Sequence, residues 1–269
     1  LSNMSQFYDQ KRIHESLDPR IFEVRECCDS AEHPNTIPII LALDVTGSMG
    51  ASCAKVAQKL NQVMTDLYKK HEDVEFCVMG IGDLAYDDAP IQMSQFESDV
   101  RILESLDKIY MEHGGGGNRY ESYTAAWYMA NYHTKLDCWN RGKKGIIITL
   151  GDEALNPYLP AAELVAKTSD NVVSTHAAET ESLYEKVSEK YDVYHIVVPT
   201  DTAARLKSDI ENSFGKLLGQ RCIYSEIDNI PTVITDIVDD ACNSSSVFVS
   251  FKEEDSSNTT EDSVGMISW

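Results

Sequence analysis

From residue 37 onward the chain alternates between continuous apolar runs and stretches where apolar residues return every three or four positions. Ile37-Pro38-Ile39-Ile40-Leu41-Ala42-Leu43 is a run of the first kind, the pattern of a strand covered on both faces. Ala51 to His71 is of the second kind. Its Val56, Leu60, Val63, Met64 and Leu67 form one buried helical stripe, and Gly47 and Gly50 precede it. Val74 to Ile81 reads as the next strand, and Ala89 to Met93 as a short one whose Pro90 suits a sheet edge. Asp99 to Met111 is a predicted helix, with Asp99 as N-cap and Val100, Leu103, Leu106 and Ile109 facing inward.

Gly114-Gly115-Gly116-Gly117 then interrupts regular structure. Beyond it the pattern predicts a helix over Glu121 to Leu136 and a buried strand over Gly145 to Leu150. Helices follow at Glu179 to Tyr191 and Thr202 to Leu218, with strands at Val193 to Val198 and Arg221 to Ser225. Pro231 to Cys242 closes the series as a helix with proline in its first turn. Strands alternating with helices imply right-handed crossovers, and hence an α/β fold with a mainly parallel sheet between two helical layers. The alternation fills residues 37–242 as one domain. Residues 1–36 are a polar N-terminal extension. Residues 243–269 are a Ser/Asn/Thr-rich acidic tail, flexible by composition, although Val247-Phe248-Val249-Ser250-Phe251 has the character of a strand able to pair.

Composition narrows the function. Of 269 residues 42% are apolar, enough for a folded core. The formal net charge of −21 argues against an autonomous nucleic-acid binder, which needs clustered Lys and Arg. The longest apolar runs fall far short of the ~20 residues that span a bilayer, and no basic-then-apolar leader is visible at the start. The seven cysteines are odd in number and contain no C-x-x-C pair. They read as free thiols of a reducing compartment rather than a disulfide scaffold or zinc site. The expectation is a soluble, acidic, cytoplasmic protein with neither a nucleic-acid nor a membrane partner.

The chemistry concentrates at Asp44-Val45-Thr46-Gly47-Ser48-Met49-Gly50, immediately after the first strand. Open parallel sheets bind ligands at the carboxyl ends of their strands. There Asp44, Thr46 and Ser48 offer one carboxylate and two hydroxyls in a turn that Gly47 and Gly50 allow to bend. Gly151-Asp152 brings a second acid to the end of a later strand. Oxygen donors of this kind suit a hard divalent cation. Each acid also has a plainer role as a helix cap or turn residue. Asp83, Asp87 and Asp88 follow the second strand at the same rim, as solvated turn acids or a second cation site. Met49 reads either as a residue of the exposed turn able to contact a partner or as one packing against neighbouring loops. Trp127, Tyr128 and Tyr132 read as core packing.

Asp44-x-Thr46-x-Ser48, a glycine-rich second loop and Asp152 together resemble the metal-ion-dependent adhesion site, or MIDAS, of von Willebrand factor A (vWA) domains, over about residues 36–242. The resemblance implies a three-layer, doubly wound, Rossmann-like fold whose six-stranded sheet has one short antiparallel edge strand. Thr46 stands where the family usually has Ser. The loop Gly115-Gly116-Gly117-Asn118-Arg119-Tyr120-Glu121-Ser122 is similar to the integrin β-subunit version. That likeness implies Glu121 as the second-loop metal ligand with Asn118 nearby, and Thr124 in that role if the loop follows the commoner pattern. The implied metal set is therefore Asp44, Thr46, Ser48, Glu121 and Asp152, with Asn118, Thr124 and Asp83 less directly indicated. The implied cofactor is Mg²⁺, or Mn²⁺ or Ca²⁺. Thr46 and Ser48 bind directly in this scheme, and Asp44 and Asp152 act wholly or partly through water.

The function so implied is non-enzymatic: the ion captures an Asp or Glu carboxylate of a protein partner, within a larger assembly or beside an AAA+-type machine. A second resemblance competes. Asp44-Val45-Thr46-Gly47-Ser48 is also similar to the nucleophile turn of haloacid-dehalogenase-like phosphohydrolases. That likeness would make Asp44 the nucleophile, Lys143 or Lys144 a phosphate counter-charge, and Asp152 a Mg²⁺ ligand. The tetraglycine and Glu121 have no role in it. A phosphate cradle at Gly114 to Gly117 lacks the G-x-x-x-x-G-K-[ST] order.

Overall fold

The computed structural model describes residues 13–112 and 119–247. In chain order its elements are β1 (Arg25–Cys27), β2 (Ile37–Asp44), α1 (Gly50–Lys70), β3 (Val74–Ile81), β4 (Ile91–Met93) and α2 (Arg101–Asp107). Then come β5 (Tyr120–Glu121), α3 (Thr124–Tyr132), β6 (Thr134–Leu136), β7 (Gly145–Gly151), β8 (Ala154–Leu155) and α4 (Ala161–Lys167). The remainder are α5 (Thr180–Lys190), β9 (Tyr191–Val197), α6 (Asp201–Arg205), α7 (Lys207–Ile210), α8 (Lys216–Leu218), β10 (Cys222–Tyr224) and α9 (Ile230–Val247).

Six strands form the central sheet in the order β10-β9-β7-β2-β3-β4. All neighbours are parallel except β3 and β4, where Gly80 faces Gln92 across an antiparallel edge. This is the three-layer, doubly wound arrangement expected, with its short antiparallel edge strand. Strand β2 lies between β3, which follows it, and β7, reached later in the chain. The chain therefore reverses direction across the sheet at β2, and the crevice at the carboxyl ends of β2 and β7 is the switch point where such sheets bind ligands.

The apolar run of β2 is explained by two cores, one on each face. Ile39, Leu41 and Leu43 pack with Val56, Leu60, Val63 and Met64 of α1 and with Ile234 and Val238 of α9. Ile40 and Ala42 pack on the other side with Ala126, Trp127 and Ala130 of α3 and Leu183 and Val187 of α5. The period-two alternation of a strand thus feeds both layers.

Three predicted helices come out differently. The first spans only Arg101–Asp107, and Val100 is exposed rather than inward. Asp99 still serves the helix start, its Oδ1 accepting from the Arg101 N–H. The buried amide of Gln92 stops the helix: Gln92 accepts from Tyr110 N at 2.8 Å and donates to Tyr110 O at 2.9 Å. Residues 108–111 are thereby fixed along the sheet edge, where Ile109 and Met111 are buried without being helical.

The second, predicted over Glu121 to Leu136, divides into β5, α3 and β6. Glu121 pairs with Leu155 in the β5–β8 ladder. Helix α3 begins only at Thr124, whose N–H donates to Asn156 Oδ1 at 3.1 Å. Residues Thr134–Leu136 pair in parallel with Arg25–Cys27, so part of the polar stretch before residue 37 contributes a strand to a two-stranded sheet. The third, predicted over Thr202 to Leu218, is broken into α6, α7 and α8 with a π-helical turn at Glu211–Gly215. Trp127 and Tyr128 are buried as expected, while Tyr132, expected in the core, is exposed at the end of α3. The tetraglycine, Asn118 and the segment from Phe248 lie outside the described residues. Among the described residues no helix is long and apolar enough to cross a membrane.

Candidate functional site

The turn after β2 is built from Asp44 outward. Its Oδ1 accepts from the Thr46 N–H at 2.9 Å and from the Thr46 hydroxyl at 2.6 Å. A short polar side chain holding the backbone two residues on is the ordinary mechanism of such a turn. The turn closes at Gly50, where φ is +48°, a conformation glycine adopts without steric cost. Of the two readings open for Met49, packing is the one realised: it is buried with Val45 and Cys53 in the α1-side core.

Ser48 carries the turn to the next strand. Its hydroxyl lies 3.1 Å from Thr46 Oγ1 and donates to Asp152 Oδ1 at 2.8 Å. Asp152, directly after β7, also accepts from Thr200 Oγ1 at 2.6 Å. Thr200 follows β9 and caps α6 by accepting from the Ala203 N–H at 3.1 Å. The ends of β2, β7 and β9 are therefore joined by one polar chain. Behind it Tyr123 donates to Asp44 Oδ2 at 2.6 Å and accepts from the Glu153 N–H at 3.3 Å.

Glu121 reaches the same region from β5. Pairing of β5 with β8 lays it beside the segment that follows Asp152. The side chain is 2% exposed and its Oε2 has no hydrogen-bond partner. Thr124, by contrast, is buried with its hydroxyl accepting from Asn156 Nδ2 at 2.5 Å. Asp83 is buried in a turn of its own: its Oδ1 accepts from the Ala85 N–H, and its own N–H donates to Asp87 Oδ2 at 2.6 Å. Lys143 and Lys144 precede β7 and so lie at the opposite end of that strand from Asp152, more than about 25 Å along the chain at ~3.3 Å per residue.

Electrostatics make the cluster unusual. Burial raises the carboxyl of Asp44 above its ordinary range, and Asp152 raises it further. Burial raises Glu121 in the same way, followed by the charges of Asp44, Glu153, Asp83 and Asp87. Asp152 is raised by burial against the pull of Thr200 and Ser48. Carboxyls crowded and buried in this way hold their protons more tightly than usual, with a buried, unpartnered Glu121 oxygen among them.

A divalent cation at this rim would relieve that crowding, and the oxygens present are of the hard type such an ion prefers. Among the described residues no three carboxylate, imidazole or thiol groups stand ready to enclose an ion by themselves; an ion held here would need the hydroxyl oxygens of Thr46 and Ser48. Thr46 and Ser48 give their protons to carboxylates and keep lone pairs for coordination. Glu121 Oε2 is a buried carboxyl oxygen with no hydrogen-bond partner, which a cation nearby would satisfy.

Sequence reasoning missed Tyr123, Glu153 and Thr200. Thr200 had a usable signal, a hydroxyl residue just past a strand at the rim already singled out. Tyr123 had none.

No family model matches the chain, and no curated protein does. Among solved structures, the pilus adhesin SpaC of Lactobacillus rhamnosus GG in its open conformation aligns with a TM-score of 0.51 at 12% identity. The alignment covers 77% of this chain and 30% of the adhesin. The vWF domain of the type V pili tip protein Mfa5 from Porphyromonas gingivalis aligns at 0.47 and 11% identity, over 82% of this chain and 98% of that one. Proximal thread matrix protein 1 of the mussel byssus aligns at 0.48 and 14%, over 82% of this chain and 47% of that one. The fold, helices on both faces of a mostly parallel six-stranded sheet, is like that of the aligned part of the adhesin SpaC. At these identities the likeness extends to fold alone, and this chain spans less than a third of the adhesin's length.

Proposed function

We propose that this vWA-like domain is a non-enzymatic, metal-dependent protein-binding module whose ion site is the rim at Asp44, Thr46, Ser48, Glu121 and Asp152. The observation that carries the reading is the Ser48–Asp152 hydrogen bond at 2.8 Å, with Thr46 Oγ1 3.1 Å from Ser48 Oγ. Hydroxyls and acids from separate strand ends meet there as hard oxygen donors. Thr46 and Ser48 would hold the ion directly, and Asp44, Asp152 and Glu121 would balance its charge. Mg²⁺ is the preferred occupant on donor type, with Mn²⁺ or Ca²⁺ as relatives of similar chemistry.

A bound divalent cation would supply an electropositive centre on a chain whose net charge of −21 otherwise repels acidic ligands. The protein's own contribution is positional. Asp44 fixes the turn, Tyr123 fixes Asp44, and Thr200 orients Asp152. Ser48 is half-buried, so the cluster opens to solvent on its side, where a partner's Asp or Glu carboxylate would enter. Seven free cysteines suit a reducing compartment such as the cytoplasm. A partner within a larger assembly is the setting in which such a module would act.

Calorimetric titration of Mg²⁺ and Mn²⁺ into the folded protein and its Ser48→Ala variant tests the reading. Binding by the parent that is lost or reduced at least tenfold in the variant supports it. No binding by the parent refutes it.

A further inference from the structure

His133 stands at the C-cap of α3 and is 3% exposed, yet both of its ring nitrogens are bonded. Nδ1 lies 2.8 Å from the Glu23 carbonyl oxygen, and Nε2 lies 2.9 Å from Asp170 Oδ2. A carbonyl oxygen only accepts, so Nδ1 carries a proton. Asp170 Oδ2 also accepts from the Tyr128 hydroxyl at 2.7 Å and the Thr168 hydroxyl at 3.0 Å. Burial pushes the Asp170 carboxyl up, but hydrogen bonds from Tyr128 and His133 outweigh it and leave the group below its ordinary range. An ionised carboxylate has no proton to give, so Nε2 donates as well. A neutral imidazole has one N–H, and this ring needs two. The positive charge that results is also favoured at the carboxyl end of a helix.

Three segments meet at this ring. Helix α3 brings Tyr128, its ring 5.8 Å away, with Tyr132 behind it holding Lys186 at its hydroxyl. The loop after α4 brings Asp170. The N-terminal extension brings the Glu23 backbone, and the Arg25 N–H donates to the His133 carbonyl at 2.8 Å. From there β1 pairs with β6, while the Arg25 guanidinium donates to Met93 O at 3.0 Å on the edge strand β4. The extension is thus fastened across the end of α3, beside a ring that is charged only while it keeps two protons. We propose that His133 is a proton-operated clasp: doubly protonated, it ties residues 23–27 to the loop after α4, and loss of one proton releases Glu23. The remaining proton stays toward the carboxylate, the stronger partner. Nδ1 then turns a bare lone pair on the Glu23 carbonyl, and the extension loosens there as pH rises. The clasp operates without any bound ion.

Long-range proton–nitrogen NMR spectra of the whole chain, taken from about pH 6 up to about pH 9, read the protonation of each ring nitrogen directly. His133→Gln identifies the resonances by their loss. Amide exchange of residues 22–27 in the same samples, corrected for the intrinsic rate, reads how firmly the extension is fastened. The expected result is two ring protons at about pH 6, and exchange around Arg25 that rises roughly tenfold or more as one of them leaves. Asp170→Asn removes the facing charge and keeps a carbonyl acceptor. Its ring should lose the second proton at lower pH than the parent's, with the faster exchange moving by the same interval, so the test stands even where His133→Gln does not fold. A ring with a single proton at about pH 6 overturns the clasp. So does exchange at residues 22–27 that is indifferent to the ring's protonation. A ring that keeps both protons over the whole range in parent and variant has nothing to switch and overturns it too.

Discussion

The Ser48 hydroxyl donates to Asp152 Oδ1 at 2.8 Å across 104 residues of sequence. It ties the turn after β2 to the end of β7 at the point where the sheet reverses its winding. Because Asp152 is held from its other side by Thr200, the bond also sets which lone pairs face the open rim.

Ser48→Ala should separate the two roles of this hydroxyl. The fold should lose about 1 kcal/mol, the usual net worth of one hydrogen bond, and the melting temperature a few degrees at most. On the proposed ion site, ion binding should fall far more steeply, because the variant lacks one of the proposed ligand oxygens. Thermal melts in chelator and in Mg²⁺ check both. A variant that melts far below the parent in chelator would show that Ser48 is chiefly structural.

Gly151 ends β7 against the Tyr123 ring. A Cβ built there would lie 2.6 Å from two ring carbons and closer still to the hydroxyl oxygen. Gly151→Ala must push Tyr123 away from Asp44. The expected cost is about 1–3 kcal/mol, typical of overpacking, together with weaker ion binding. Tyr123→Phe keeps the ring and drops only the hydroxyl, so it should cost less in stability while still releasing Asp44. Denaturant unfolding of the two variants gives the order.

The strands that build this rim were legible because burial on both faces leaves an unbroken apolar run, as in Ile37–Asp44 and Gly145–Gly151. From there Asp44, Thr46, Ser48 and Asp152 needed only the rule that ligands gather at strand carboxyl ends. What could not be read depends on contacts between distant segments. Glu121 looked helical because Ala125, Ala126 and Ala130 favour a helix, and only its pairing with Leu155 makes it extended. Gln92 ends α2 through a side-chain amide whose partner no local pattern reveals. Tyr123 looked like any buried aromatic, and its hydroxyl acquires a function only once Asp44 is placed beside it.

Glu121 should respond with opposite signs in two conditions. A buried carboxylate oxygen without a partner is costly, so without an ion Glu121→Gln should leave stability unchanged or raise it by about 1 kcal/mol. With Mg²⁺ the parent should gain stability by mass action, and the variant should gain much less. Melting curves with chelator and with saturating Mg²⁺ give four values. A variant that gains as much from Mg²⁺ as the parent would remove Glu121 from the ion's surroundings.

His195 predicts the acid limb of stability. It lies fully buried on β9, with Nδ1 2.8 Å from Thr149 Oγ1, Nε2 unpartnered, and its ring stacked 3.6 Å from that of Phe214. Tyr123 meets it edge-on. Burial alone lowers its pKa from 6.5 to about 3. As pH falls below 6.5 the unfolded chain takes up this proton before the folded one does. The stabilisation is therefore complete above about 6.5 and drains away between 6.5 and about 3. His195→Phe removes the group that titrates and keeps a ring to stack on Phe214. Its acid unfolding midpoint should move lower by roughly half a pH unit or more, even where neutral-pH stability drops from the lost Thr149 contact. Urea unfolding from pH 7.5 down to 4 measures the slope. An identical slope in parent and variant would assign the acid sensitivity to other groups.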